Sequence, residues 1–196
     1  MQNMLGPLVL FALAMCFTPG PNVMMITASG ANFGFRRAIP HMLGISFGFG
    51  AMAMAAGLGL AGLFHAEPRL HVALKYAGAG YLLYLAWRIA NAAAAGAPHR
   101  ARPIGFVEAT LFTWVNPKAW VSVIGALAAF TTMSGDMLWQ TSVITAVLTI
   151  ACLASCAVWA AFGVAIGRYL GSARARTIFN GAMAGLLVLS LIPVFW

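Results

Sequence analysis

The chain has 196 residues, of which 62% are hydrophobic and only 7% carry a charged side chain. Because a soluble domain carries about 25% charged residues, this composition excludes a water-soluble globular protein and predicts an integral membrane protein. The net charge of +8 does not indicate a nucleic-acid partner, since no stripe of basic residues interleaved with aromatic residues is present in the sequence.

Six apolar segments are each long enough for a helix that spans the lipid bilayer, which takes roughly 20 residues. They cover residues 4–30, 39–64, 70–92, 104–131, 139–167 and 177–195. Their long uncharged runs lack the alternation of membrane β-strands, so we predict a single all-α transmembrane domain over residues 1–196. No Lys or Arg precedes Arg36, so we expect the first segment to be a retained helix and not a cleaved signal.

The first segment is interrupted halfway by the run Thr18-Pro19-Gly20-Pro21-Asn22. Proline removes a backbone donor, so we expect the helix to end near Thr18 and a second half-helix to begin with Pro21 at its first position. The amides that follow, those of Asn22 and Val23, would then point into the break and form an anion site with the helix dipole. Carbonyls released around residues 17–19 would accept hydrogen bonds from a cation or an ammonium group.

Basic residues concentrate in the first, third and fifth connections between the predicted spans. They are Arg36, Arg37, Arg88, Arg100, Arg102, Arg168, Arg174 and Arg176. The positive-inside rule makes these connections cytoplasmic and places both termini outside.

The linker 91–103, rich in Ala, Gly, Pro and Arg, separates three helices from three. Since three is odd, the second set enters the membrane from the opposite side, which predicts a 3+3 inverted repeat.

The fourth segment is interrupted at the matching place by Asn116-Pro117-Lys118. Asn116 is a good N-cap, and Pro117 again takes the first helical position. Paired interruptions in two halves of a chain indicate the substrate site of a transporter. Lys118 is the one basic group predicted deep in the membrane, where burial costs roughly 2.5–3.5 kcal/mol. We expect it to bind a substrate carboxylate or to change protonation; alternatively, it is a structural lysine that pairs with backbone carbonyls.

Small residues predict close helix packing. The spacing Gly-x-x-x-Gly occurs at Gly44 and Gly48, at Gly163 and Gly167, and at Gly181 and Gly185. Because lipid supplies no hydrophobic drive between helices, such faces promote association by packing. The same spacing is compatible with a homodimer, without identifying which partner each face meets.

A thiol function is the main alternative to transport. Cys16 directly precedes the first break, while Cys152 and Cys156 lie one turn apart in the fifth segment. If the first and fifth helices touch, Cys16 meets one of the other two and an intramembrane thiol-redox protein results. Otherwise the three cysteines are small packing residues.

The motifs together resemble the LysE/RhtB superfamily of amino-acid exporters. The resemblance rests on the first break, on Gly34-Phe35-Arg36 and on Asn116-Pro117-Lys118-Ala119, and it covers the whole chain in length, helix count and motif order. It implies a protein of the bacterial inner membrane that exports amino acids by antiport with the proton gradient. The implied substrate-binding residues are Thr18, Pro19, Gly20, Pro21, Asn22, Asn116, Pro117 and Lys118. Residues 84–90 and 101–104 are loosely similar to the branch that exports cysteine and O-acetylserine.

Other motifs indicate neither an enzyme nor a cofactor. The sequence has no phosphate-binding Gly-Lys-Ser/Thr loop and no H-E-x-x-H or G-x-S-x-G motif, and its four histidines (His41, His65, His71 and His99) lack zinc-site spacing and are expected at the surface. Glu108 lies near the cytoplasmic face, where we expect a solvated carboxylate, with a proton relay as the alternative. Trp114 and Trp120 either line the cavity or pack beside it. Without an acidic residue at mid-membrane depth, a basic substrate side chain would be costly to bury, so we predict small neutral amino acids.

Overall fold

The computed structural model describes residues 4–60, 68–91, 102–132, 136–190 and 192. Across these ranges the chain forms helices and no strand, which confirms the all-α prediction there. The α-helices are α1 (Leu5–Phe17), α2 (Pro21–Phe33), α3 (Phe35–Ala55), α4 (Pro68–Asn91), α5 (Phe106–Val115), α6 (Pro117–Phe130), α7 (Met137–Tyr169) and α8 (Ala173–Leu189). A π-helical turn, Ala56–Leu60, continues α3.

Both predicted proline breaks are present. The first predicted span consists of α1 and α2, whose axes are bent by 60°. The fourth consists of α5 and α6, which are separated by Asn116. In each case a proline takes the first position of the second half-helix, where its missing N–H costs no hydrogen bond. The prediction that helices one and four are broken is therefore confirmed.

Some of the described helices have the length and the composition of membrane spans. Phe35–Gly59 and Met137–Tyr169 are each long and apolar enough to cross a bilayer, and the bent pair α1–α2 passes the same test when its two halves are counted as one span. Helices α5 and α6 are apolar but shorter. The six spans and the 3+3 inverted repeat stay predictions. Most of the predicted linker, residues 92–101, lies outside the described residues.

The connection between the first two predicted spans is shorter than the sequence indicated. We expected the second span to begin at Ile39, but α3 begins at Phe35, directly after the single residue Gly34. Gly34 has a φ of 81°, in the left-handed region that glycine adopts without a steric penalty. One glycine is therefore enough to turn the chain from α2 into α3.

Helix α7 lies at the centre of the packing, against α1, α2 and α3. Its glycines allow the approach of α2: a Cβ atom on Gly163 would collide with the carbonyl of Thr27, and one on Gly167 would lie 2.6 Å from the carbonyl oxygen of Ala31. The contact is reciprocal, because a Cβ atom on Gly30 of α2 would meet the backbone of Ala160. This Gly-x-x-x-Gly face therefore packs inside the molecule.

The other two small-residue faces differ from each other. Gly44 and Gly48 of α3 face α5, where added Cβ atoms would meet the backbone of Phe106 and of Thr110. Gly181 and Gly185 of α8 have open space within 4 Å of the added atom, as far as the described chain extends. The close-packing prediction is confirmed for the first face and fails for the second.

Buried polar pairs join α2 to its neighbours. His41 of α3 is fully buried, and its Nδ1 lies 2.9 Å from the hydroxyl oxygen of Ser29. The amide of Asn32 donates to that of Asn180 at 2.9 Å, which links α2 to α8. The prediction of a surface position for His41 was wrong, since packing of α3 against α2 takes the ring out of solvent. His65, His99 and the side chain of His71 lie outside the described residues.

Candidate functional site

The first break leaves the start of α2 uncapped. Helix α1 ends at Phe17, Thr18 has an extended backbone, and Gly20 is the residue before the first turn of α2. No side chain among the described residues accepts a hydrogen bond from this first turn. Since the amides of a first helical turn point toward the N-terminal end, those of Asn22 and Val23 face the break, where the helix dipole favours an anion.

The second break is closed by its own asparagine. Asn116 is nearly fully buried, and its side-chain oxygen accepts the backbone N–H of Lys118 at 3.1 Å. Its carbonyl accepts the N–H of Ala119 at 3.0 Å. The N-cap prediction is confirmed, and the amides at the start of α6 are occupied within the helix end. The free amides therefore belong to the first break alone.

Lys118 joins the two breaks. Its side chain leaves the start of α6, and its ammonium donates a short hydrogen bond to the carbonyl of Thr18 and a longer one, of 3.4 Å, to that of Pro19. The released carbonyls that we assigned to a substrate ammonium are thus bound by an ammonium of the protein itself. In this conformation Lys118 is the carbonyl-paired lysine of our alternative interpretation.

Gly20 provides the space that Lys118 occupies. A Cβ atom added to Gly20 would lie 2.7 Å from Cδ and 3.1 Å from Nζ of Lys118. The φ of Gly20 is −170°, an extended conformation that any residue adopts. The backbone would permit any residue here, but a side chain at this position would displace the flexible end of Lys118 from where it now lies.

A small cavity of about 50 Å³ lies at the meeting point of the breaks. Five of the eight predicted site residues line it, namely Gly20, Pro21, Asn22, Asn116 and Lys118. Thr18 and Pro19 contribute their carbonyls to Lys118, whereas Pro117 starts α6 without lining the cavity. The Asn22 side-chain oxygen is buried and has no hydrogen-bond partner in the described chain. An unpaired buried acceptor costs about 1–3 kcal/mol, so it marks a position where a ligand donor would fit.

Sequence reasoning missed two serines of this cavity. The hydroxyl of Ser155, on α7, donates to the carbonyl of Cys16 at 2.8 Å, so α7 binds the end of α1 next to the break. The hydroxyl of Ser122 donates to the carbonyl of Lys118 at 2.8 Å and lines the same cavity. The sequence spacing could have indicated both serines, because Ser122 follows Lys118 by one helical turn and Ser155 shares a helix face with Cys152.

The three cysteines also line this cavity. Cys16, Cys152 and Cys156 are free thiols, and α1 packs against α7 at this level. The geometric condition of the thiol-redox alternative is therefore met. By contrast, Trp114 and Trp120 do not line the cavity: the Trp120 indole N–H donates to the carbonyl of Trp114 at 2.7 Å, and the rings pack edge to face.

Glu108 is not the solvated carboxylate that we expected. It forms an ion pair with Arg88 of α4, and both side chains are less than one-fifth exposed. The guanidinium of Arg88 also donates to the carbonyl of Arg102 at 3.3 Å. The expectation failed because the helix packing brings an arginine 20 residues away onto the start of α5, a contact that no local pattern indicates.

A family model described as LysE type translocator matches residues 13–191. The chain belongs to this family. The match confirms the resemblance to the LysE/RhtB superfamily that the two break motifs indicated, and both breaks of this LysE type translocator lie within the matched residues.

Curated relatives of this translocator carry the name cysteine/O-acetylserine efflux protein. Those from Salmonella typhimurium (strain LT2) and Escherichia coli (strain K12) are 35% and 32% identical over 121 residues, which is 61% of this chain and 62% of each relative. The relative from Klebsiella pneumoniae is 28% identical over 142 residues, 72% of each chain. The match thus spans about 62% of the length of the first two relatives. No solved structure matches the chain.

Proposed function

We propose that this translocator exports small neutral amino acids or their close derivatives, by antiport with protons, through the site where its two broken helices meet. The observation that carries the proposal is the ammonium of Lys118, bound to the carbonyls of one break beside the uncapped helix start of the same break. A zwitterion requires this combination, with amides for its carboxylate and carbonyls for its ammonium.

Substrate and protonated Lys118 compete for the same carbonyls. In our proposal the ammonium of the substrate displaces Lys118 from Thr18 and Pro19, while its carboxylate binds the amides of Asn22 and Val23. On the cytoplasmic side, Lys118 releases its proton as the substrate binds. On the outer side, Lys118 takes up a proton and returns to the carbonyls, which releases the substrate. One proton therefore enters for each amino acid exported.

The charge of the site favours a neutral side chain. No carboxylate lines the break cavity among the described residues. Glu108 is paired with Arg88, and Asp136 caps the start of α7 by accepting the N–H of Trp139 at 3.0 Å. Glu67 lies outside the described residues. A lysine or arginine substrate would bring a second cation into a poorly solvated site without a partner, which is costly. The name of the relatives, cysteine/O-acetylserine efflux protein, agrees with a small neutral substrate.

The setting of the exporter is part of the proposal. We propose that the protein lies in a bacterial inner membrane, as the family implies, and that both termini are outside, because basic residues concentrate in three connections. A homodimer is compatible with the open face of Gly181 and Gly185 on α8. We propose no cofactor and no metal.

Intracellular amino-acid pools test the substrate. We expect a bacterial strain that expresses the protein to hold less cysteine, O-acetylserine, threonine or homoserine than the same strain without it. The matched control is the Lys118→Met variant at equal membrane level, which should leave the pools unchanged. Selective depletion of lysine or arginine would contradict a neutral substrate.

The convergence of three free thiols favours a second candidate, an intramembrane thiol-redox protein. It uses Cys16 with Cys152 or Cys156 and predicts that activity depends on at least one of these pairs. The exporter predicts no such dependence, so replacement of the cysteines separates the two functions.

A further inference from the structure

A second and larger cavity of about 360 Å³ lies between α2 and α4. Its volume falls within the range of roughly 300–1,000 Å³ that is typical of small-molecule sites. The break cavity of about 50 Å³ is far smaller, enough for one or two waters at roughly 30 Å³ each. In this conformation the space for an amino acid is therefore next to α2, and not at the break.

The polar groups of this cavity suit an anion. Arg88 and Arg102 line it together with Asn32 and Ser29. Arg88 is neutralised by Glu108, whereas the exposed guanidinium of Arg102 has no ion-pair partner among the described residues, so the wall carries an excess positive charge. An arginine has five donors in a planar fork that matches a carboxylate, and within the described residues Arg88 donates to two protein oxygens.

The cavity and the break lie along one helix. Met25, Ser29 and Asn32 follow one another at helical spacing on the face of α2 that lines the larger cavity. Asn22, one turn before Met25, lines the break cavity. Met25 is fully buried, and it stands about 4.5 Å along the helix axis from Asn22. A flexible thioether side chain is thus the group between the two spaces, and it can change rotamer more easily than a branched one.

We propose that the larger cavity is the cytoplasmic access site, at which Arg102 and Arg88 bind the carboxylate of the amino acid before it passes Met25 to the break. This inference rests on the proposed export function and its orientation. It adds a second binding position, on the side where basic residues concentrate. It also assigns a role to Arg88 and Arg102, which lie outside the break motifs.

Transport kinetics in inside-out membrane vesicles test the access site. The probe is radiolabelled O-acetylserine, added on the cytoplasmic face over a range of concentrations. We expect Arg102→Gln to raise the KM about fivefold, as the loss of one exposed charge interaction of about 1 kcal/mol implies, with an unchanged maximal rate. Arg102→Lys should restore most of the affinity. The control is Arg174→Gln, an exposed arginine at the start of α8 that does not line the cavity.

The measured KM values distinguish the access site from two alternatives, a general effect of surface charge and a bound lipid phosphate. Equal KM values for Arg102→Gln, Arg174→Gln and the wild type would overturn the proposal, and so would equal increases in both variants, because the effect would then be one of general surface charge. A lipid phosphate bound in the cavity would also overturn the proposal. In that case Arg102→Gln would change the KM in proteoliposomes that contain phosphatidylglycerol, but not in proteoliposomes of phosphatidylethanolamine alone. No uptake of small neutral amino acids by the wild type would instead refute the export function itself.

Discussion

Lys118 connects two parts of the chain that are 100 residues apart. Its ammonium provides hydrogen bonds to the carbonyls of Thr18 and Pro19, which have lost their helical partners at the break. The helices α1 and α6 meet through this side chain and through the rings of Phe11 and Phe130, so Lys118 is one of the groups that hold the two broken helices together. The hydrogen bonds agree with the structural interpretation that the sequence left open, and the chemical interpretation stays a prediction.

The first prediction concerns the charge and length of this side chain. Lys118→Met should eliminate export, because it removes the ammonium while keeping a similar volume. Lys118→Arg keeps a charge but moves it and cannot release a proton, so export should be impaired. Efflux measured at several external pH values, at equal membrane levels of each variant, checks both. Normal transport by Lys118→Met with unchanged pH dependence would show that the lysine is structural only.

The second prediction concerns Gly20, which the side chain of Lys118 crosses. Gly20→Ala should reduce export, since the new methyl group would lie 2.7 Å from Cδ of Lys118 and would force the flexible end of that side chain to shift. Backbone strain is not involved at this extended residue, so the protein should still reach the membrane. Gly6→Ala in α1 is the matched control, because its added methyl group meets open space. Equal efflux by both variants would show that Lys118 does not need to cross Gly20.

The third prediction separates the exporter from the thiol-redox alternative. A variant in which Cys16, Cys152 and Cys156 are all replaced by alanine should keep most of its export, because only small packing groups are lost. Efflux and membrane level are measured together, so that poor folding is recognised by a low protein level. Loss of activity at a normal membrane level would favour a function that depends on the thiols.

At the scale of the helices, the two breaks have different chemistry. Helix α6 is capped by Asn116, whereas α2 starts without a side-chain cap.

The fourth prediction is that Pro21→Ala and Asn116→Ala both abolish export while the protein stays in the membrane. Pro21→Ala permits a continuous helix, in which the amides that are now free would form helical hydrogen bonds. Asn116→Ala removes a cap that stabilises the start of α6, beside Lys118, by about 1 kcal/mol. Ser172→Ala, which removes the cap of α8 at its exposed start, is the control and should transport normally. Wild-type export by both break variants would reduce the motifs to packing features.

These helical features show what a sequence can predict. The breaks were predicted correctly because proline acts on its own turn, and Asn116 was predicted as a cap for the same local reason. The contacts between elements were not predicted in full. The Arg88–Glu108 pair and the buried Ser29–His41 pair depend on which helix faces which, and periodicity alone does not contain that information. The sequence likewise indicated the residues at the break and offered pairing of Lys118 with backbone carbonyls as one interpretation, but it did not indicate which carbonyls.

At the scale of the whole molecule, orientation in the membrane is the fifth prediction. Reporter fusions in the first, third and fifth connections should be cytoplasmic, and fusions at both termini should be outside, because the arginines concentrate on one side. Alkaline phosphatase and fluorescent-protein fusions read the two sides independently. A cytoplasmic carboxyl terminus would contradict both the orientation and the six-span count.

Helix α7 has a consequence for the lipid around the protein. Its 33 residues make it about 50 Å long, whereas the hydrocarbon layer of a bilayer is about 30 Å thick. An unbroken helix of this length tilts or extends into the headgroups, and it adjusts its tilt when the bilayer thickens or thins. Ser155 on α7 holds the carbonyl of Cys16 next to the first break. We therefore expect hydrophobic mismatch to act on the first break through this hydrogen bond, so that the rate of transport measured in phospholipids of different acyl-chain length should differ.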